Sequence, residues 1–378
     1  MMNQAQFTYP PPPNLLPVKE GKNVFRVCPS SQEGRAELFS TEGVVKHAAR
    51  CVVTSCLALM VGVIFDAHLF AQQETIYMSV LNSRKHRLGA LDNPTVGLFV
   101  STDAGLTWRH KGWEYTRAFY TESGPDGTIW SACGNGVHRS TDGGATWRIT
   151  TGWEITEVLK VKVNPVNPAT VYAATGYGIF KTTDSGETWQ EKNAGFRKAF
   201  TSDVVIDRTN GSLLFAGTEE GIYRSTDGGN RWLPVDAKAK GVRTVVQDPH
   251  RTQIFWAGTD DDGVVVSRDA GKTWKSANLG PQHLTVYTIA FDPAVSGVVY
   301  AGTHGGGVYR SLNDGRTWKQ CTQGLNNMVV HSLLVMPSNP RIILAGTLNG
   351  GLYRSTDGGD HWVFNSQEEG QVWGLSVR

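Results

Sequence analysis

The 378-residue sequence has little cysteine, and it has no long apolar run beyond its first quarter. Five cysteines are too few for a disulfide scaffold, and only Cys133 and Cys321 lie beyond residue 70. We expect these two to be free, buried thiols. The formal net charge of +2 is near balance and there is no long basic stripe, so no nucleic-acid partner is predicted.

Common catalytic and metal-binding patterns are also missing. The histidines do not show the spacing of two His and a carboxylate on one strand that a transition-metal site needs. No Ser-His-Asp set or Gly-rich phosphate loop stands out. We therefore expect neither a cofactor nor a bound metal ion.

The first 73 residues differ from the rest of the chain. Residues 1–45 contain the run YPPPP (9–13) and no convincing strand, which predicts disorder, or a mis-annotated extension if translation begins near Val44 or Val45. Residues 46–73 combine the basic flank KHAAR, a 15-residue apolar stretch and the small residue Ala71, as an export signal does. Since 15 residues are short for a bilayer span, a membrane anchor or buried helix is the alternative. The protein is predicted to be periplasmic or secreted, with membrane contact only through this segment.

Glycine and tryptophan, in contrast, are abundant, and they recur in one phrase. The seven copies are GLFVSTDAGLTW (97–108), GVHRSTDGGATW (136–147), GIFKTTDSGETW (178–189), GIYRSTDGGNRW (221–232), GVVVSRDAGKTW (263–274), GVYRSLNDGRTW (307–318) and GLYRSTDGGDHW (351–362). Their closing Trp residues are 39 to 44 positions apart. A period near 42 is typical of a β-propeller with one four-stranded blade per repeat. Length alone would allow two domains, but blades stack into one body, so we predict a single all-β, seven-bladed propeller over residues 74–378.

The sixth repeat illustrates one blade. Segments 284–293, 298–303, 307–311 and 317–323 predict strands A to D joined by tight turns. The first repeat has no strand A, whereas the chain ends in GQVWGLSVR (370–378), which has the pattern of a strand A without a blade. We therefore predict that residues 372–377 pair with 75–81, so that the C-terminus completes blade 1 and removes two exposed sheet edges.

Each repeated phrase, called a box here, places an Asp, or in one copy an Asn, in the turn between strands C and D. The residues are Asp103, Asp142, Asp184, Asp227, Asp269, Asn313 and Asp357. An active site is needed once, so a residue repeated in every blade predicts a structural role. We expect the Asp to accept hydrogen bonds from N–H groups two or three residues ahead, with Gly at positive φ and Trp at the start of strand D packed on a neighbouring blade. Most boxes supply one carboxylate, too few for a calcium loop.

The pattern Ser-x-Asp-x-Gly-x-Thr-Trp resembles the Asp-box, or BNR repeat. This repeat is highly specific for fold, but it occurs in sialidases, xyloglucan-degrading endoglucanases, sortilin-type receptor ectodomains and photosystem II assembly factors. The resemblance implies that the boxes lie on the face opposite the ligand site.

The chain departs from three of these families. Sialidases resemble six-bladed propellers with an Arg-Ile-Pro element, which is missing here. Xyloglucan-type enzymes are similar to two facing propellers with one catalytic Asp from each, and sortilin-type ectodomains have ten blades and a cysteine-rich module. The assembly-factor type, a single seven-bladed propeller that binds protein without a catalytic site, matches in size and blade number. The match is one of architecture, since no motif ties the chain to photosynthesis.

Functional residues are therefore expected on the B–C and D–A loops. The long first B–C loop (82–97) holds a basic cluster, while blades 4 and 5 offer acidic residues, a charge pattern that would orient a polar partner. Aromatic residues with Arg are anchors of protein interfaces and of sugar platforms. The predicted partner-binding residues are Arg84, Lys85, His86, Arg87, Trp113, Tyr115, Arg117, Trp153, Arg197, Lys198, Arg243 and Trp373, with Phe196, His283 and His331 in the same segments.

The favoured hypothesis is an exported, monomeric, non-catalytic scaffold that captures a protein partner opposite the boxes. The alternative is a glycoside hydrolase or lectin-like propeller that acts on a cell-envelope glycan, since hydrolysis needs two carboxyl groups roughly 5–10 Å apart. Its acids would come from Glu219, Glu220, Asp260, Asp261 and Asp262, with Glu219 and Asp261 as the first choice.

Overall fold

The computed structural model describes residues 74–83, 95–113, 116–235, 239–277, 279–280 and 284–378. They belong to the compact unit Gln72–Arg378. The predicted N-terminal extension (1–45), the predicted export signal (46–73) and most of the long first B–C loop lie outside the described residues. In the described ranges, no helix is long and apolar enough to cross a membrane.

These residues form seven four-stranded antiparallel sheets, one per repeat, as the sequence predicts. From strand A to strand D, blades 1 to 4 are β28 (Gly370–Val377), β1 (Ile76–Ser83), β2 (Gly97–Ser101), β3 (Arg109–Lys111); β4 (Ala118–Ser123), β5 (Ile129–Cys133), β6 (Gly136–Ser140), β7 (Arg148–Ile149); β8 (Val158–Val163), β9 (Val171–Thr175), β10 (Gly178–Thr182), β11 (Gln190–Glu191); and β12 (Thr201–Ile206), β13 (Leu214–Thr218), β14 (Gly221–Ser225), β15 (Leu233–Pro234). Blades 5 to 7 are β16 (Val242–Gln247), β17 (Phe255–Thr259), β18 (Val264–Ser267), β19 (Lys275–Ser276); β20 (Val286–Phe291), β21 (Val299–Thr303), β22 (Val308–Ser311), β23 (Lys319–Gln320); and β24 (Val330–Val335), β25 (Ile343–Thr347), β26 (Gly351–Ser355), β27 (Val363–Ser366).

The last strand closes the ring in the predicted way. β28 pairs antiparallel with β1, with Ile76 opposite Val377 and Met78 opposite Leu375. The pairing continues beyond the strand, because the N–H of Arg378 donates to the carbonyl of Thr75 at 2.9 Å. The C-terminal strand is therefore the strand A of blade 1.

The hydrophobic core lies between neighbouring blades. All five residues of strand B are buried in each of blades 2 to 7. Phe215 of blade 4 and Phe255 of blade 5 meet with ring centroids 4.5 Å apart. Strand B is buried along its whole length and largely apolar because a blade covers each of its faces, as in a buried strand of a layered sheet protein.

The boxes are hydrogen-bonded turns. In blade 2, Ser140 Oγ donates to Asp142 Oδ1 at 2.8 Å, and the N–H of Gly144, which has φ of 85°, donates to Ser140 Oγ at 2.9 Å. The same carboxylate oxygen accepts from the N–H groups of Ala145 and Thr146 at 3.0 and 2.9 Å. The backbone donors are thus three and four residues ahead of the Asp, not two or three as expected, because the turn is one residue longer than a simple Asx turn.

The box tryptophan packs on the preceding blade. Trp232 is fully buried, and its Nε1 donates to the carbonyl of Lys192 in blade 3 at 2.8 Å. Trp362 donates to the carbonyl of Cys321 in blade 6 at 3.0 Å. Strand D begins one residue after the Trp and has only two to four residues, so the expectation that Trp starts this strand is wrong by one position. Cys133 and Cys321 are free and buried, as predicted.

Candidate functional site

The two ends of the propeller are built from different loops. Strand direction alternates within a blade, so the C–D turns with their boxes lie at the same end as the A–B turns. The box N–H of Gly228 donates to the carbonyl of Ser212 in the A–B turn of its own blade at 3.0 Å, and Gly358 does so to Arg341 at 2.9 Å. We call this end the box face, and the opposite end, made of B–C and D–A loops, the loop face.

Every strand A carries a β-bulge at the same position near the loop face. The pairing with strand B shifts by one residue there in all seven blades. The bulged residues are Trp373, Phe119, Leu159, Ser202, Arg243, Tyr287 and His331 in blades 1 to 7. All seven line one cavity of about 290 Å³, which we call the mouth. A bulge redirects a side chain, and here it directs seven of them to one place.

Four of the bulged residues, in blades 6, 7, 1 and 2, form an aromatic arc. The Tyr287 and His331 rings are stacked with centroids 4.1 Å apart, and His331 lies 4.3 Å from Trp373. The Phe119 ring meets Trp373 edge-on at 6.0 Å. Burial lowers the pKa of His331 to about 4, and the nearby charges of His304 and Arg243 act in the same direction. The arc is therefore uncharged at neutral pH.

Arg243 borders the arc on the side of blade 5. Its Nε and Nη2 donate to the two oxygens of Asp260 at 2.6 and 2.7 Å. Because bidentate pairing fixes the guanidinium plane, Asp260 positions Arg243 at the edge of the mouth. Asp260 itself is committed to this ion pair.

The floor of the mouth is polar and internally satisfied. Lys160 Nζ lies 3.6 Å from the ring centroid of Tyr120 and 4.0 Å from Asp203 Oδ1. Asp203 is almost fully buried and accepts hydrogen bonds from Thr244 Oγ1 and the N–H of Val245, both at 3.0 Å. Tyr120, Lys160 and Asp203 also line a second cavity of about 380 Å³ toward the box face. This layer thus separates the two cavities of the channel.

The structure brings three of the sequence-selected residues together, since Arg243, His331 and Trp373 all line the mouth. Arg117 is elsewhere, in an ion pair with Glu157 in which both side chains are about half exposed. Of the outlying aromatic residues, Trp153 is 90% exposed, whereas Trp113 is 41% exposed and packs on His138 at 4.9 Å.

The D–A loop of blade 3 divides its residues between two roles. Arg197 and Lys198 are exposed and do not line the mouth. Phe196 stacks on Trp232 with centroids 5.2 Å apart, so it belongs to the packing between strands. Arg84, Lys85, His86, Arg87, Tyr115 and His283 lie outside the described residues, and their roles stay predictions.

The acids of the glycosidase alternative lie around the mouth, not in it. Glu219, Asp261 and Asp262 are exposed, and Glu220 accepts a hydrogen bond from the hydroxyl of Tyr223 at 3.0 Å. None of them lines the mouth. Across the described ranges, no group of three or more His, Cys, Asp or Glu residues is placed to hold a metal ion.

Sequence reasoning missed Phe119, Leu159, Ser202 and Tyr287. Each of the four follows the first residue of its strand A. An alignment of the seven strands A on this buried first residue would have placed all of them in one column with Arg243 and His331. The information lies in the shared position within strand A, and not in the residue type at that position.

Comparisons with known proteins bear on the fold. The Sortilin-Vps10 family model (sortilin, neurotensin receptor 3) matches residues 135–262, about a third of the chain. No curated protein matches the sequence. The solved structure of YCF48 from Cyanidioschyzon merolae is 17% identical with a TM-score of 0.52, over 75% of this chain and 96% of that one. A structure of YCF48 bound to D1 peptide is also 17% identical, with a TM-score of 0.51, over 69% of this chain and 85% of that one.

Larger proteins match as well. A GH74 enzyme of Niastella koreensis is 21% identical with a TM-score of 0.54, over 65% of this chain and 44% of that one. The chain therefore spans less than half the length of this enzyme. At such identities the likeness establishes the fold alone, and the chain is a seven-bladed β-propeller of the kind that the Asp-box resemblance implies.

Proposed function

We propose that this protein is an exported, non-catalytic binding propeller that captures a segment of a partner protein at the mouth, on the face opposite the boxes. The observation that carries the proposal is the aromatic arc. Four rings occupy bulge positions where other blades hold Leu159, Ser202 and Arg243. The blade architecture therefore does not require aromatic residues there, which leaves ligand binding as their reason.

The size and chemistry of the mouth suit a protein segment. Its volume of about 290 Å³ is at the lower end for a ligand pocket, so it accommodates one or two side chains better than a bulky organic ligand. Aromatic residues beside an arginine are typical energetic anchors of protein interfaces. The similar propeller YCF48 has been seen bound to D1 peptide, which supports a peptide-binding role for this architecture.

A glycan hydrolase is the weaker candidate. Aromatic rings also stack on sugars, but hydrolysis needs two carboxyl groups that flank one bond. Asp203 is the sole carboxylate among the described residues that line the mouth, and it is buried and hydrogen-bonded to blade 5. The chemistry of the mouth therefore favours binding.

Site-specific photocrosslinking tests the proposal. A benzoylphenylalanine at Ser202, in the mouth, is expected to give a protein adduct in the cell envelope of the native host, and Trp373→Ala should abolish it. The same probe at Thr183, exposed in the box turn of blade 3, is the control. The purified protein is expected not to hydrolyse sialyl or β-glucan substrates.

Two results would contradict the proposal. One is an equal yield of adducts from Ser202 and Thr183. The other is glycan hydrolysis that Glu219→Gln or Asp261→Asn removes while the protein stays folded, which would support the hydrolase instead.

A further inference from the structure

A row of hydrogen bonds joins the loop-face turns of blades 4, 5 and 6. The carbonyl of Glu219 accepts from the N–H of Gly241, and the carbonyl of Gly241 accepts from the N–H of Asp260, both at 2.9 Å. Thr285 Oγ1 donates to the carbonyl of Asp260 at 2.8 Å, and the carbonyl of Thr285 accepts from the N–H of His304 at 2.9 Å. These turns thus form one continuous rim beside the mouth.

Negative charge is concentrated on this rim. We call the five acidic residues of these turns the acidic rim: Glu219, Glu220, Asp260, Asp261 and Asp262. The described cations near these five carboxylates are fewer: Arg243, which pairs with Asp260, the exposed Lys240, and Arg197, which acts electrostatically on Tyr223 beside Glu220. Glu219, Asp261 and Asp262 are exposed and form no ion pair with any described cation. The rim therefore carries net negative charge.

The rim is directly connected to the aromatic arc. The Tyr287 hydroxyl lies 3.2 Å from His304 Nδ1, and Arg243 belongs to the mouth while its partner Asp260 belongs to the rim. Glu219 also acts electrostatically on Arg243. A ligand in the mouth that extends over blades 4 to 6 would therefore meet the acidic rim.

The interior of the mouth disfavours a cation. Lys160 on the floor and Arg243 at the edge would both repel an incoming ammonium or guanidinium group, and Asp203 and Asp260 are already engaged by these two. An apolar side chain, in contrast, would pack against uncharged rings. The mouth and the rim thus select different chemistry.

Resting on the proposed function, we propose that the captured segment is a basic peptide with an apolar anchor. One aromatic or large aliphatic side chain enters the mouth and packs on the aromatic arc. Neighbouring Lys or Arg side chains lie over the acidic rim and pair with Glu219, Asp261 and Asp262. Complementary charge of this kind contributes mainly to specificity and association rate.

Selection from a random 12-residue peptide display library tests this chemistry. The library is depleted on the Trp373→Ala protein and then selected on the immobilised wild-type chain. Recovered peptides are expected to combine an aromatic or large aliphatic residue with Lys or Arg within a few positions, and to be poor in Asp and Glu. If circular dichroism finds that Trp373→Ala is unfolded, Tyr287→Ala replaces it in the depletion step.

Charge reversal on the rim provides the quantitative arm. Asp261→Lys is expected to weaken the recovered peptides roughly fivefold to tenfold in fluorescence anisotropy, an effect that salt screens. Glu154→Lys is the matched control. Glu154 is an exposed acid in the D–A loop between blades 2 and 3, and its substitution changes the net charge by the same amount. It should leave the affinity unchanged.

The outcomes separate this inference from the function on which it rests. Trp373-dependent peptides that are rich in acids, or basic peptides indifferent to Asp261→Lys, would overturn the basic-peptide inference and leave a binding mouth. Failure to recover any peptide that depends on Trp373 or Tyr287 would overturn the proposed function, and the inference with it.

Discussion

The two faces of this propeller use structurally equivalent positions in opposite ways. On the box face, the turn position is Asp in six blades and Asn in the remaining one. The side-chain oxygen accepts a similar backbone hydrogen bond in both cases, as Asp142 and Asn313 show. On the loop face, the bulge of strand A holds seven different residue types in seven blades. The blade geometry constrains both positions, so the constancy of one and the variety of the other separate what the fold requires from what it leaves free.

This contrast also separates stability from recognition. The box residues are held by the protein itself: Asp142 accepts hydrogen bonds within its own turn, and Trp232 is fully buried and donates to the preceding blade. The mouth residues, in contrast, contact one another mainly through ring faces and line a cavity. Substitutions on the box face should therefore mainly change the free energy of unfolding, and substitutions in the mouth should mainly change ligand affinity.

The largest effect is expected from deletion of residues 370–378, which removes β28. Blade 1 would lose its inner strand, with the buried side chains of Val372 and Leu375, and β1 would become an open edge. Truncation of one buried aliphatic side chain costs about 2–5 kcal/mol, and a domain has only about 5–15 kcal/mol in total. We expect loss of cooperative thermal unfolding, measured by circular dichroism.

Removal of Arg378 alone is the control, since it removes the backbone hydrogen bonds to Thr75 but leaves the buried side chains of β28 in place. A truncated protein that lacks β28 and melts like the full chain would contradict ring closure as the source of stability.

The next largest effect is a difference in the free energy of unfolding between two Trp→Ala variants. Trp232→Ala, on the box side of blade 4, removes a fully buried ring and should cost about 3–5 kcal/mol. Trp373→Ala, in the mouth, removes a partly exposed ring whose main partners are His331 and Phe119, and should cost no more than about 2 kcal/mol. Urea unfolding followed by tryptophan fluorescence measures both. Equal losses would mean that the aromatic arc is part of the core.

The same contrast explains how much the sequence predicts. Fold, blade number, ring closure and the role of the box acids follow from a period and a repeated phrase, because every blade must meet the same packing demands. Trp108 and Trp362 are informative as members of a series. The length of strand D and the donors to the Asp differ slightly from expectation, since hydrogen-bond geometry, not spacing, decides them.

The mouth is harder to predict for a physical reason. The sequence predicts Arg243, His331 and Trp373 as binding residues of the loops, but their convergence depends on a bulge in strand A. The bulge is not marked by any one residue type in the sequence, and here it changes which side chains face the channel. Phe119 and Tyr287 consequently read as ordinary members of an alternating strand. Only the paired register of strands A and B places them beside the others.

A box carboxylate gives a smaller and pH-dependent effect. The N–H of Thr273, and then its hydroxyl, hold the pKa of Asp269 at about 2. Asp269→Asn should cost about 1 kcal/mol at pH 7, because it weakens charge-assisted hydrogen bonds at a largely solvated site. Asn313 makes comparable contacts in blade 6, so the turn should persist.

The sign of the pH dependence follows from linkage. The folded pKa lies below the unfolded value near 4, so the contribution of Asp269 is complete above that value and is lost as the pH falls toward 2. The difference in unfolding free energy between wild type and Asp269→Asn should therefore shrink between about pH 5 and pH 2. Urea titrations across this range measure it, and a constant difference would mean that the carboxylate charge does not stabilise the box.

The smallest effect, and the sharpest test of the box rule, is the reverse change in blade 6. Asn313 Oδ1 already accepts from the N–H of Thr317 at 2.9 Å, while Asn313 Nδ2 donates to Thr317 Oγ1 at 2.8 Å. In Asn313→Asp the Thr317 hydroxyl would have to turn and donate, as Thr146 does to Asp142 at 2.6 Å. We expect a gain of a few tenths to about 1 kcal/mol at pH 7, which disappears near pH 2. The adjacent Asp314 opposes the gain by like-charge repulsion, although Arg251 already pairs with it. A loss of stability at pH 7 would therefore mean that this blade has Asn because of its neighbour, and that the box position answers to local charge as well as to the turn.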